Sequence, residues 1–150
     1  MKKLLTNGRS HTEGSECNVS FGDFFTDYEH VNIAKGGGGN ERILRTTMEY
    51  CENNEVDLVI IGWSTHERFE FAWKNERKDY TLYKQSDDED LQKFYRYADL
   101  HLADWNIGLD NTITYMLSLQ TYLESKNIEF IFCNMFNSIP KDCQNKLWNS

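Results

Sequence analysis

No apolar run in this sequence is long enough to cross a bilayer, and none suits a secretion signal. The basic start MKKLL turns polar at Thr6 and Asn7 after only two leucines, far short of the roughly 20 residues a membrane helix needs. The expected location is the cytoplasm. Basic charge is also short, with 16 Lys and Arg against 24 Asp and Glu and a net charge of −8. With no local basic patch to reverse it, that balance disfavours nucleic-acid backbones and anionic membrane surfaces, which repel a polyanion. Neither nucleic acid nor membrane is expected as a partner. Cys17, Cys51, Cys133 and Cys143 form no C-x-x-C pair. A chain of this length needs no disulfide staples, so they read as reduced, mostly structural thiols. Metal ligands are scarce as well. His101 and Asp104 are the one close His/carboxylate pair at helical i, i+3 spacing, with no further cluster beside them, so no metal or other cofactor is expected.

What is present is core material: 39% hydrophobic and 14% aromatic residues let positions 1–150 fold as one domain. The stretch 3–14, KLLTNGRSHTEG, carries the first chemical signal. Leu4 and Leu5 begin a strand, Asn7 and Gly8 make a turn, and Ser10, His11 and Thr12 follow where a helix should start. That order puts the Ser10 hydroxyl and N–H at the carboxyl edge of a sheet, where open α/β folds bind ligands. A plain helix cap at Ser10 or Thr12 is the alternative.

Val19, Phe21, Phe24 and Phe25 suggest a helix within 17–27 that covers one sheet face, and HVNIA at 30–34 suggests a second strand. Gly36, Gly37, Gly38 and Gly39 then follow in a row. Such a run is tolerable only where the backbone takes positive φ or approaches something closely. Asn40 suits an N-cap for a helix striped with Ile43, Leu44, Thr47, Met48 and Cys51. Neither a P-loop nor a dinucleotide fingerprint fits, since no G-K-[ST] closes the turn and Glu41 stands where the last fingerprint glycine belongs. What remains is a turn whose N–H groups face a negative oxygen, or else a flexible surface loop.

VDLVIIGW at 56–63 reads as a central strand buried on both faces, ending in the small polar turn Ser64 and Thr65. Aromatics scattered among charges from 67 to 105 suggest amphipathic helices lying on the core, or a lid. The acidic run 87–90 suggests a solvated loop or a helix start. Asp110 or Asn111 could cap a helix over 112–126, Asn127 stops it, and IEFIFC at 128–133 makes a fourth strand followed by a loop containing Pro140. Strands alternating with helices imply an α/β class: a three-layer α/β/α sandwich on a parallel sheet.

NGRSHTEG, then VNIAKGGGGNERI with Arg45 following, then DLVIIGWSTHERFEF resemble in order and spacing the first three blocks of the SGNH (GDSL-like) hydrolases. They look most like the bacteriophage and marine viral branch, for which the location would be the host cytoplasm. The resemblance spans about residues 2–71. It implies a flavodoxin-like sandwich that hydrolyses esters of lipids, acylated sugars or other small acyl compounds. It also implies Ser10 as nucleophile, with the Ser10 and Gly37 N–H groups in the oxyanion hole and Ser64 or Thr65 near the position of the family's hole asparagine. His11, Asn40, Trp63 and Arg68 are the candidate substrate contacts.

Two departures matter. Arg9 stands where the family's aspartate precedes the serine, and no D-x-x-H follows the fourth strand, so the domain is expected to be incomplete at its carboxyl end. Asp27 and His30 have that spacing but precede the second strand, on the wrong side of the sheet. His11 diverges from its neighbour Ser10, which leaves His66 and His101 as better placed histidines. The function is therefore an SGNH-type esterase acting on a small ester or, alternatively, a non-catalytic small-molecule or anion binder on the same fold. Without a fifth strand, the edge at 128–132 would pair with another copy, giving a homo-oligomer.

Overall fold

Strand β3 (Leu58–Trp63) lies at the centre of the sheet because its residues, LVIIGW, are buried on both faces. Alternation divides them between two cores. Val59, Ile61 and Trp63 join Leu5 of β1 (Lys2–Asn7) in the main cluster, while Leu58 and Ile60 join Leu4 on the opposite face. β1 lies between β3 and β2 (Tyr28–Asn32), and β6 (Glu129–Asn134) pairs with the other side of β3, every pairing parallel. The order β2-β1-β3-β6 corresponds to the first four places of the flavodoxin-like winding. The fold is thus α/β, of the kind expected for an α/β/α sandwich.

Helices α2 (Asn40–Asn53) and α4 (Trp105–Ser125) cover the main face with Ile43, Cys51, Met116, Leu119 and Leu123. These details come from a computed structural model, which describes residues 1–134 apart from Glu16 and Asn18. Pro140 and Cys143 lie outside the described residues. Among the described residues no helix is long and apolar enough to cross a membrane.

Three local expectations need correction. Instead of a helix within 17–27 there is one 3-10 turn, Phe21–Phe24; Phe21 packs on the smaller cluster, but Phe24 is 76% exposed. Gly22 explains the tight turn, because a Cβ there would run into the His30 ring. Second, the segment after β3 is a hairpin of β4 (Phe69–Trp73) and β5 (Glu76–Tyr80), then α3 (Glu89–His101). FEFAW alternates with period two, and Lys74 and Asn75, at φ 47 and 66, form the two-residue loop that right-twisted strands favour. Its aromatics do not lie on the main core. They form their own, with Phe69 stacked on Tyr80 at 4.6 Å and Phe71 against Phe94 at 4.5 Å. The acidic run does start a helix, because Asp88 caps α3 by accepting the Asp90 and Leu91 N–H groups. Third, α4 begins at Trp105, capped by Asp104 and not by Asp110 or Asn111. His101 ends α3 while Asp104 caps α4, so the expected i, i+3 pair does not share a helix.

Candidate active site

The crevice between β1 and β3 is the switch point of this winding, and ligands bind such sheets at the carboxyl ends there. The exit from β1 is pinned by Asn7, fully buried, whose Nδ2 reaches the Ile43 carbonyl at 3.1 Å and the Thr46 and Thr47 hydroxyls at 2.9 Å. Its Oδ1 accepts the Gly8 N–H. Gly8 then passes so close to β3 that a Cβ would lie 2.7 Å from the Gly62 carbonyl oxygen and would strike the Thr12 hydroxyl. Only glycine fits. The single-turn helix α1 (Ser10–Glu13) follows, stopped by Gly14 at φ 81. Ser10 is half-buried at its first position, and its Oγ has no hydrogen-bond partner among the described residues.

The glycine run comes to the same place. Lys35 N–H donates to the Gly8 carbonyl at 3.1 Å, and a Cβ built on Gly36 would stand 3.8 Å from the Ser10 Cβ. Gly36 N–H donates to the Glu13 carboxylate at 2.9 Å, and Gly38 N–H to the Lys35 carbonyl. Gly37, at φ 80, has an N–H with no acceptor among the described residues. Gly39 answers the close-approach expectation, since a Cβ there would lie 2.9 Å from the Arg68 carbonyl oxygen. Glu13, which fills one donor of the turn, was not foreseen, although it sits inside the quoted NGRSHTEG block.

The third turn is less open than expected. Ser64 is buried, its N–H donates to Asn40 Oδ1 at 2.7 Å, and its enclosed hydroxyl has no partner among the described residues. Asn40 itself is 1% exposed and does not cap α2, whose N-cap is Gly39 with no side-chain bond. Its Nδ2 donates to the Ser64 carbonyl at 3.1 Å and to Thr112 Oγ1 at 2.9 Å. Asn40 is thus a clamp between α2, the β3 exit and α4, and not a substrate contact. Trp63 is also corrected: it is fully buried, edge-on to Phe132 at 5.3 Å.

No histidine is hydrogen-bonded to Ser10 among the described residues. His11 is exposed on α1, and His101 lies against Tyr97 at the end of α3. His30 is held by the Thr6 hydroxyl at 2.8 Å and by Asp23, not Asp27, at 2.7 Å. That hydrogen bond to His30 is the main cause holding the Asp23 carboxyl below its usual range. His66 is 5% exposed, edge-on to Trp105 at 4.9 Å, and burial pushes its pKa down. Its tautomer follows from its partner. Thr112 has one proton, which goes to the acceptor-only Gly108 carbonyl at 2.9 Å, so His66 Nδ1, at 3.2 Å from the same oxygen, is the donor. The lone pair is then on Nε2. Among the described residues no group of three His, Cys, Asp or Glu side chains could hold a metal ion.

No family model matches the chain, and no curated protein does. Solved structures do resemble it, among them two from Bacteroides species. One, from Bacteroides fragilis, is assigned as an acylhydrolase: 19% identical, TM-score 0.37, covering 87% of this chain and 67% of its own. The other is a GDSL-like lipase from Bacteroides thetaiotaomicron: 16% identical, TM-score 0.36, covering 87% of this chain and 68% of its own.

Beside the β3 exit, between the hairpin and α4, lies a cavity of about 270 Å³ lined by His66, Arg68 and Tyr115 among others. Arg68, a candidate substrate contact, borders this cavity. Burial lowers its pKa, and its guanidinium has no hydrogen bond or ion pair among the described residues.

Proposed function

We propose that this chain is an SGNH-type ester hydrolase acting on a small acyl compound, with Ser10 as nucleophile. The observation that carries the reading is the contact between the Ser10 turn and the glycine run, with Ser10 Oγ unengaged and the Gly37 N–H without an acceptor. Donors that converge from separate turns on one carbonyl oxygen are what a tetrahedral oxyanion needs. Ser10 and Gly37 supply N–H groups, and Thr65 is the hydroxyl candidate once Ser64 is closed off. Among the described residues no histidine is hydrogen-bonded to that hydroxyl, so the expected turnover is slow, about 10³ to 10⁴ above the uncatalysed rate, as for hydrolases stripped of a triad member.

The test is hydrolysis of 4-nitrophenyl acetate and butyrate by the chain and by Ser10→Ala. Loss of all turnover above background in Ser10→Ala supports the proposal; equal rates refute it. Single alanine changes at His11, His30, His66 and His101 then show whether any histidine serves as base. The alternative, a non-catalytic anion binder, is favoured by one contact: the glycine turn already holds a carboxylate, that of Glu13.

Self-association is proposed on separate grounds. β6 has β3 on one side and no strand on the other among the described residues, and Ile131 is 47% exposed. Sedimentation equilibrium should show a dimer whose population falls when Ile131 becomes Lys. A wild-type monomer at every concentration would reject it.

A further inference from the structure

The cavity beside the β3 exit pairs an apolar wall with a cation that has no hydrogen bond or ion pair among the described residues. Phe69, Leu102, Ile107 and Tyr115 form the wall, and Arg68 and His66 stand on the same lining. Burial pushes the His66 pKa down and also lowers that of Arg68; the charges of Glu67 and Asp79 offset part of the Arg68 desolvation, but its guanidinium has no hydrogen-bond acceptor among the described residues. Two carboxylates also border the space. Asp104 is committed to the α4 terminus, where it accepts the Ile107 N–H at 2.8 Å, and Glu67 acts on Arg68 through its charge without a direct ion pair.

We propose that this cavity binds a small monocarboxylate with an apolar tail, its carboxylate on Arg68 and its tail along Phe69, Ile107 and Tyr115. A volume of about 270 Å³ lies at the small end of ligand pockets, which limits the guest to a short aliphatic chain or one ring. A planar guanidinium matches a carboxylate by two parallel hydrogen bonds, a match that neither an amide nor an alcohol reproduces. The site does not depend on Ser10 or on any hydrolytic step.

The probes are hexanoate, hexanamide and hexylamine, equal in tail and different in head group, titrated calorimetrically into the full chain at pH 7.5. Hexanoate should bind at least about tenfold more tightly than hexanamide, with hexylamine weakest. Arg68→Gln, which keeps most of the side chain's volume, should remove the preference for hexanoate over hexanamide while leaving the circular dichroism spectrum unchanged. Ile107, 64% exposed at the rim, gives a second variant: Ile107→Ser, which removes tail contact without adding charge, should weaken all three heads together. Equal binding of hexanoate and hexanamide to the wild type overturns the proposal without recourse to any variant. So does tighter binding of hexylamine, which would mean that Glu67 and Asp104 set the charge of the cavity. No heat from hexanoate at up to 20 mM, with the protein folded, overturns it as well.

Discussion

Trp63→Ala is expected to cost about 3 to 5 kcal/mol, the range for emptying a buried aromatic site, and Trp63→Phe far less. Trp63 is fully buried, edge-on to Phe132, in the cluster that also holds Leu5, Ile43, Met116 and Leu119. Those neighbours belong to β1, α2, α4 and β6, so the cavity left by alanine is bounded by four separate elements and cannot collapse without moving the sheet. Phenylalanine keeps most of the packing. It also removes an indole Nε1–H that is buried without an acceptor, a group whose desolvation costs about 1 to 3 kcal/mol. Relief of that penalty offsets much of the lost volume, so Trp63→Phe should fall within about 1.5 kcal/mol of the wild type. Urea unfolding followed by far-ultraviolet dichroism measures both. A loss above about 3 kcal/mol for the phenylalanine variant would show that the indole nitrogen has a partner after all.

The same residue shows what sequence reading can and cannot reach. A β-branched apolar run such as VDLVIIGW announces a strand buried on both faces whatever its neighbours are. The parallel sheet, its central strand and the stripe of α2 were legible for that reason. Trp63 was read as a substrate contact because it ends the strand beside a polar turn. Its ring instead follows the alternation of the strand, on the side of Val59 and Ile61. The hairpin β4–β5 was also written in the chain, as F-E-F-A-W before Lys-Asn, but charged residues on its outer face disguised the period. Asn40 could not have been placed from sequence at all. An asparagine before a helical stripe looks like a cap, and only the return of β3 and α4 to the same point gives its amide three partners. The turn around Ser10 lies between these cases. Gly39, in the run expected to approach something closely, does so, and Gly8, expected only as a turn former, does so too, yet the surfaces approached, Arg68 and Gly62, come from distant parts of the chain.

The Asn40 clamp leads to the other large effect. Asn40→Ala removes the bonds to the Ser64 N–H, the Ser64 carbonyl and the Thr112 hydroxyl, leaving a buried N–H unsatisfied. At about 1 kcal/mol for each bond the loss is about 3 kcal/mol. Asn40→Asp keeps the shape but should be no better at pH 7. One oxygen still accepts from Ser64 N–H, while the other replaces an NH₂ donor and faces the Ser64 carbonyl, with a charge in a site only 1% exposed. An uncompensated buried charge costs about 3 to 5 kcal/mol. The two variants then part with pH. Burial raises the folded-state pKa of the introduced aspartate above its unfolded value of about 3.9, so the folded form binds the proton more tightly. Its deficit relative to wild type is full above the folded pKa, and it shrinks as pH falls through that value towards the unfolded one. Protonated, the carboxyl can donate once, to the Ser64 carbonyl or to Thr112. The deficit of Asn40→Ala relative to wild type should stay constant across the same range, because alanine does not titrate. Urea midpoints for the three proteins from pH 7 to pH 4 test this: parallel curves for the alanine and aspartate variants would mean that water reaches position 40 and screens the charge. If the aspartate deficit shrinks with falling pH as expected while the alanine deficit does not, the β3 exit with Ser64, Thr65 and Arg68 is held in place by a dry amide clamp, and loosening it should also weaken whatever the neighbouring cavity binds.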